Sequence, residues 1–321
     1  MMRRTIAAAA VFGSLLVGAQ AWAQTVEVSE VESPEHSDNL FARLSYGHRY
    51  DAEMQGGIKN DLATDDVRTE VGGTVVFNER LRWFNFLGYG YTNYDNELED
   101  SQISSLSLAS ILGFGLDDPG WTILAGPVLN FSADKGADWG DAVSAGAALG
   151  ATYKHSPELE LGLAVIAASR IEEGATILPV PLVNWRFHPQ WRLYTGMTEV
   201  AARRGVGGYL EWNFIEPCDV SIGAQFENRR FRLNNVSNFN QNFPNQVGDN
   251  GGHNYIGEDQ SVPVYLRVNV RIIEGLSADI LGGVAFGGKM SLSNSHDHFI
   301  DSASYDPQAI IGIRAQYNLD I

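Results

Sequence analysis

The feature that most constrains this chain is strict two-residue alternation, broken by turns and renewed to the C-terminus. In its last segment Ala309, Ile311, Ile313, Ala315, Tyr317, Leu319 and Ile321 share one parity, while Gly312, Arg314, Gln316, Asn318 and Asp320 share the other. Successive strand side chains point to opposite faces, so this segment has one apolar face and one polar face. The pattern recurs at Val67–Phe77, Val143–Lys154, Leu159–Arg170 and Val262–Ile272. Segments of about ten alternating residues separated by turns are the signature of a transmembrane β-barrel.

About fourteen such strands are predicted, beginning near Leu40, Val67, Leu81, Ile103, Trp121, Ala142, Leu159, Ile177, Trp191, Val206, Asp219, Val262, Leu276 and Ala309. Trp191–Met197 and Val206–Phe214 are short, and twelve strands is the alternative. The expected fold is all-β: a closed antiparallel up-and-down barrel over residues 40–321. With the N-terminus in the periplasm, the outer connections are Asp51–Asp66, Asp95–Gln102, Ala133–Asp141, Glu172–Thr176, Thr198–Gly205, Asn234–Ser261 and Ser293–Gln308. The inner ones centre on Asn78-Glu79, Asp117–Gly120, Ser156-Pro157, His188-Pro189, Glu216-Pro217 and Glu274-Gly275. All the outer connections except Glu172–Thr176 are longer than every inner one, as outer-membrane barrels require. Trp83, Trp121, Tyr153, Trp185, Trp191, Trp212 and Tyr317 fall near strand ends on the apolar face, where an aromatic girdle belongs. A soluble β-sandwich or periplasmic barrel is the competing fold.

Residues 1–23 read as a secretory signal peptide: Arg3 and Arg4, an apolar Ile6–Val17, then Ala21-Trp22-Ala23. Residues 24–39 read as a periplasmic tail. The expected location is therefore the cell outer membrane. No apolar run after the N-terminus is long enough for a membrane helix. With one cysteine, Cys218, no intrachain disulfide can hold the fold.

Leu178-Pro179-Val180-Pro181-Leu182-Val183-Asn184-Trp185-Arg186-Phe187, with Trp191-Arg192-Leu193 after it, carries a resemblance. So does Val262-Pro263-Val264-Tyr265-Leu266 with Gly282-Gly283-Val284-Ala285-Phe286-Gly287-Gly288. These stretches resemble an uncharacterised outer-membrane β-barrel family known only as a domain of unknown function. The resemblance implies barrel architecture and supplies no catalytic residue. The final strand also resembles the signal read by the barrel-assembly machinery, although it ends in Ile321 rather than Phe.

With the apolar parity turned to lipid, the strand arginines face the lumen, since Arg or Lys on the lipid face costs about 2–4 kcal/mol at mid-bilayer. The candidate lumen wall is Arg43, Arg68, Arg82, Arg170, Arg186, Arg192, Arg267, Arg271 and Arg314, with Arg49, Arg229 and Lys154 on the same side. Lumen carboxylates are fewer: Glu70, Glu160, Glu211, Glu227 and Asp279. The outer loops take the other acids, among them Asp65, Asp66, Asp134, Glu258 and Asp259. A positive wall favours anionic solutes; the other reading is a lumen filled by Arg–Glu pairs.

A net charge of −17 argues against nucleic acid as partner. The expected partners are outer-membrane lipid and lipopolysaccharide; the acidic loops read as solvated, with divalent cations bridging them to lipopolysaccharide phosphates as the alternative. His296-Asp297-His298 lacks the further ligands a metal site needs. No Gly-x-Ser-x-Gly elbow or phosphate loop is present, so neither an enzyme nor a cofactor is expected. The function expected is a passive channel for small hydrophilic, anion-preferring solutes. A closed structural or surface-interaction barrel is the alternative, and a lipid-modifying enzyme the third reading.

Overall fold

The computed structural model describes residues 38–55, 61–96, 101–117, 120–171, 174–234, 255–294 and 299–320. The signal peptide, all but the end of the tail, His296-Asp297-His298 and Ile321 lie outside the described residues.

Among the described residues fifteen strands run in chain order: β1 Asn39–Glu53, β2 Asp61–Asn78, β3 Leu81–Asn96, β4 Ser101–Gly115, β5 Trp121–Asp134, β6 Val143–Ser156, β7 Leu159–Ser169 and β8 Ala175–His188. They continue with β9 Trp191–Val200, β10 Arg203–Ile215, β11 Cys218–Leu233, β12 Tyr255–Ile273, β13 Leu276–Ser293, β14 Phe299–Tyr305 and β15 Gln308–Asp320. From β1 to β14 each pairs antiparallel with the next in sequence, and β1 pairs with β15 from Asn39↔Asp320 to Arg49↔Ile310, closing the ring. β14 and β15 occupy one place: β13 pairs with β15 through Ala285 and with β14 from Gly288 onward. Pro307, which has no N–H to give a ladder, lies between them. The barrel is thus a closed antiparallel one of fourteen strand positions.

The two ends differ. At one end, residue pairs 79–80, 157–158, 189–190, 216–217 and 274–275 join the strands, with 116–120 as the longer exception. At the other end the longest connections are 54–60, 135–142, 234–254 and 294–298. Strands extend further into that end than the alternation predicts. β12 begins at Tyr255, β2 at Asp61, and β9 and β10 run through Thr198–Gly205, leaving Ala201-Ala202 as a two-residue turn.

The exterior is apolar, as the parity argument requires. Leu44, Val71, Leu108, Leu149, Leu163, Ile177, Leu266, Ile280 and Ile313 are exposed around the wall. In the last strand Ile311, Ile313, Tyr317 and Leu319 face outward while Gly312 is buried, so the parity of Ala309–Ile321 is the expected one. Near the short-turn end aromatic rings form a belt: Trp191 on Trp212 at 5.6 Å, Trp185 by Phe187 at 5.2 Å, Trp121 by Tyr153 at 5.0 Å. An exterior of this kind is stable only against hydrocarbon, and the β1–β15 pairing closes the ring. The chain is a membrane-spanning barrel.

Candidate functional site: an inward hairpin and a divided lumen

The site is built around β9 and β10. Through Gly196 the burial of β9 alternates; from Met197 to Arg204 every residue is buried on both faces. The change falls where Gly196 pairs with Gly207, beside Gly205 and Gly208, and strand glycines allow a sharp bend. Beyond this point the hairpin leaves the wall and crosses the lumen. Its tip, Ala201-Ala202, has φ of 49° and 65°, the left-handed pair of a type I′ turn that normally takes Asn-Gly. The opposite wall explains small side chains there. An added Cβ on Gly47 of β1 would lie 2.6 Å from the Ala201 Cβ, and one on Gly312 of β15 would lie 3.0 Å from the Ala201 Cα. The two glycines form a socket for the tip.

Ion pairs fasten the hairpin across the interior. Arg203 reaches Asp66 on β2 at 2.7 Å and Asp259 on β12 at 2.8 Å, and donates to the Thr64 hydroxyl at 2.9 Å. Arg204 pairs with Glu70 at 2.7 Å and stacks over Phe86 at 4.0 Å. Glu70 also holds Arg68, and Arg43 at 3.2 Å; Asp66 also holds Arg229 at 2.9 Å. Arg49 pairs with Glu227 at 2.6 Å, and the hydroxyls of Tyr94 and Tyr305 donate to Asp259 at 2.9 and 2.8 Å. Such a lattice tolerates burial because each charge meets its opposite with good geometry.

The hairpin divides the interior chemically. The β1–β2 and β10–β12 side carries this arginine–carboxylate lattice. The β3–β8 side carries an apolar cluster: Phe86, Ala109, Ile111, Val128, Ala148, Ala164, Ile166, Leu178, Val180 and Leu182 pack with Met197 and Val206 of the hairpin, while Ser105, Ser107, Asn130 and Ser132 are buried nearer the long-loop end. A second cluster, including Met54, Leu62, Tyr94, Ile103, Phe231, Leu233, Met290 and Tyr305, fills the long-loop end. That end is also pinched. Arg232 of β11 forms a parallel bridge with Ala133 of β5, six places away in the wall, and pairs with Asp141 at 3.4 Å.

Withdrawing the hairpin leaves a seam in the wall. β8 pairs with β9 from His188↔Trp191 only as far as Val183↔Thr195, and β11 pairs with β10 only as far as Phe226↔Val206. Beyond those points the described part of β8, Ala175–Leu182, pairs on one side only, with β7. Thr195 Oγ1 donates to the Pro181 carbonyl, which shows that the main-chain groups of Pro181, and of Pro179 two residues away, face the open side. Prolines have no N–H to leave unpaired there, so they fit an edge strand. Behind the seam lie Leu178, Val180 and Leu182.

The arginines predicted to line the lumen separate into groups. Arg43, Arg68, Arg192 and Arg267 are buried within it, Arg82, Arg170 and Arg314 are half-buried, and Arg186 and Arg271 are exposed towards the short-turn end. Arg314 pairs with Asp279, Arg192 donates to Asn184 at 2.9 Å, and Arg267 donates to Ser221 at 3.1 Å and lies over Tyr209 at 4.7 Å. Arg203, Arg204, Arg230 and Arg232 were not foreseen, and Asp66 and Asp259 were assigned to solvated loops; all six are buried. For Arg203 and Arg204 the difference follows from placing Thr198–Gly205 outside, and for Asp66 and Asp259 from starting β2 and β12 too late. A loop of two apolar small residues and two arginines, flanked by glycines, was the available signal. The cation-bridging role of Asp66, Asp134 and Asp259 is corrected likewise, since burial removes them from lipopolysaccharide phosphates.

No protein-family model and no curated protein matches the chain. Among solved structures it is similar to an outer membrane channel from Pseudomonas putida F1, at 8 % identity over 92 % of this chain and 100 % of that one, TM-score 0.48. It is also similar to a Pseudomonas aeruginosa FadL homologue (9 %, 88 % and 90 %, TM-score 0.48) and to the Pseudomonas putida toluene transporter TodX (9 %, 89 % and 90 %, TM-score 0.45).

Proposed function

We propose that this protein is an outer-membrane channel, held closed by the β9–β10 hairpin, for small weakly polar solutes. The short-turn end faces the periplasm and the long loops face outward, as in other bacterial barrels. One observation carries the reading: the hairpin leaves the wall and packs Met197 and Val206 against an apolar interior surface behind an unsealed edge of β8. A barrel serving only as a scaffold has no need of an apolar interior face or of a break in its ladder. A shift of the hairpin would open a path between Leu178, Val180 and Ile166 on one side and Met197 and Val206 on the other. The seam joins that path to the membrane.

The arginine wall supports selection of anions less well. Arg43, Arg68, Arg203, Arg204 and Arg229 already meet Glu70, Asp66, Asp259 or Glu199. Paired charges of this kind hold the plug and present a reduced field to a passing ion. The apolar wall is therefore the surface that chooses the solute.

Entry of an apolar fluorescent amine into intact cells tests the proposal, because lipopolysaccharide slows such dyes. Cells producing the protein should take up dye faster than cells without it. The gain should fall when Ala164→Trp and Ala168→Trp fill the apolar path. Equal entry with and without a demonstrated amount of folded protein in the membrane would remove the reading.

A further inference from the structure

The hairpin leaves behind a place in the wall that still fits it. Continuing the register from Val183↔Thr195 would set Pro181 beside Met197, Val180 beside Thr198 and Leu178 beside Val200. Continuing it from Val206↔Phe226 would set Gly205 beside Glu227, Arg204 beside Asn228 and Arg203 beside Arg229. Among the described residues, these stretches of β8 and β11 have no strand partner on the hairpin side.

The parity of the hairpin suits that place. In the wall, Met197 and Val206 would turn to lipid, while Thr198, Val200, Arg203 and Gly205 would face the lumen. Glu199 and Arg204 would turn outward as well, but they stand directly opposite each other in the hairpin ladder and can pair. Each lies eight residues beyond the stacked Trp191 and Trp212. That is about 27 Å along a strand and about 20 Å along the membrane normal at the usual tilt. The pair would therefore sit at the outer rim of the apolar band, where charge costs little. Asn228 is a second, independent sign. It is wholly buried, its Nδ2 donates to Glu258 at 2.8 Å, and its Oδ1 has no hydrogen-bond partner among the described residues. In the wall register its neighbour would be Arg204, which brings donors to that oxygen.

We infer that the β9–β10 hairpin has two seats: the lumen, and the gap in the wall between β8 and β11. One element then governs two openings. Leaving the lumen opens an axial, water-filled passage, and entering the wall seals the seam. The lumen is the resting seat. Arg203 and Arg204 fasten the hairpin there. Pro179 and Pro181 offer the wall seat carbonyls without N–H groups, so β8 can form only half of a ladder. At the long-loop end Ile171 meets Ile256 across the seam and must part from it before the hairpin enters. The inference concerns this movement and stands whatever solute the protein carries.

Disulfide trapping in membranes tests it, with Cys218→Ser removing the native thiol. In the lumen seat Val200 packs among Tyr265, Leu281, Ala285 and Ile310, a cluster separate from that of Leu178. In the wall seat Val200 and Leu178 would form a non-hydrogen-bonded pair, since Pro181 and Pro179 turn their main-chain groups to β9. Such a pair has Cα atoms about 4.5 Å apart, within reach of a disulfide. Under a mild oxidant, Val200→Cys with Leu178→Cys should bridge slowly, and much faster once Arg203→Ala and Arg204→Ala are added. Val200→Cys with Ile177→Cys, on the exposed outer face of β8, should not bridge in either background, whereas a hairpin merely set loose would link both. In planar bilayers the 178–200 bridge, in protein retaining both arginines, should raise conductance, and its reduction should lower it again. Three results would overturn the inference: no 178–200 bridge in a folded barrel lacking the two arginines, equal bridging at 177 and 178, or a bridged barrel conducting no more than its reduced form.

Discussion

Gly47→Ala places a methyl group where the hairpin tip already stands. The added Cβ would lie 2.5 Å from the Ala201 carbonyl carbon and 2.6 Å from the Ala201 Cβ. Carbon atoms rest at about 3.5–4.0 Å, so the tip must retreat by about 1 Å. The Arg203 contacts, 2.7 Å to Asp66 and 2.8 Å to Asp259, would then stretch by about the same amount, past hydrogen-bond length but still within ion-pair range. Two costs compete. Overpacking of this kind destabilises by about 1–3 kcal/mol. Full release of the tip strips buried carboxylates of their arginine, at about 3–5 kcal/mol. The smaller cost decides the outcome, and the tip stays docked under strain. Arg203→Ala with Arg204→Ala removes the fastening itself and lets the hairpin leave. Urea unfolding from lipid vesicles should therefore show Gly47→Ala less stable by about 1–3 kcal/mol, while its planar-bilayer conductance matches that of the unaltered protein. The double arginine variant should conduct well above both. If Gly47→Ala conducts as freely as the double variant, the ion-pair lattice is not what holds the plug, and the reasoning fails.

Three further outcomes follow from the wall. Leu163→Arg, on the exposed mid-band of β7, should lower folding stability in vesicles by about 2–4 kcal/mol; an unchanged unfolding curve would mean that this face does not meet acyl chains. Trp191→Ala should cost at least the about 0.5–1.5 kcal/mol of its stacking on Trp212, and a double-mutant cycle with Trp212→Ala should recover that coupling; additive effects would deny it. Pro179→Val with Pro181→Val restores the donors that β8 lacks on its open side, and should slow dye entry if the unsealed edge is part of the path; an unaltered rate would count against the seam.

Alternation alone placed nearly all of the wall, because in a barrel each strand meets lipid on one face and the pattern is written residue by residue. The predicted starts at Leu81, Trp121, Leu159, Trp191 and Leu276 coincide with those of β3, β5, β7, β9 and β13. The short turns were legible for a similar reason: a two-residue reversal needs particular residues. The interior was not legible. Met197 and Val206 carry the parity of lipid-facing residues, and only the bend at Gly196 and Gly207 turns them onto another protein surface. Asp66 and Asp259 stand among exposed acids in sequence, yet strands longer than expected bring them inside. Parity says which face a residue takes. It does not say where the wall itself folds inward, and the arginine–carboxylate pairing depends on that fold.

A disulfide between the hairpin tip and the far wall tests the central claim most directly. A Cβ on Gly312 would stand 3.0 Å from the Ala201 Cα, so the two positions touch across the lumen and a bridge needs only a slight backbone retreat. With Cys218→Ser removing the native thiol, Ala201→Cys and Gly312→Cys should oxidise to an intramolecular bridge in native membranes, and neither thiol should react with a membrane-impermeant maleimide added outside. A tip cysteine that labels readily from outside and forms no bridge would place β9–β10 in the outer loops and contradict the account.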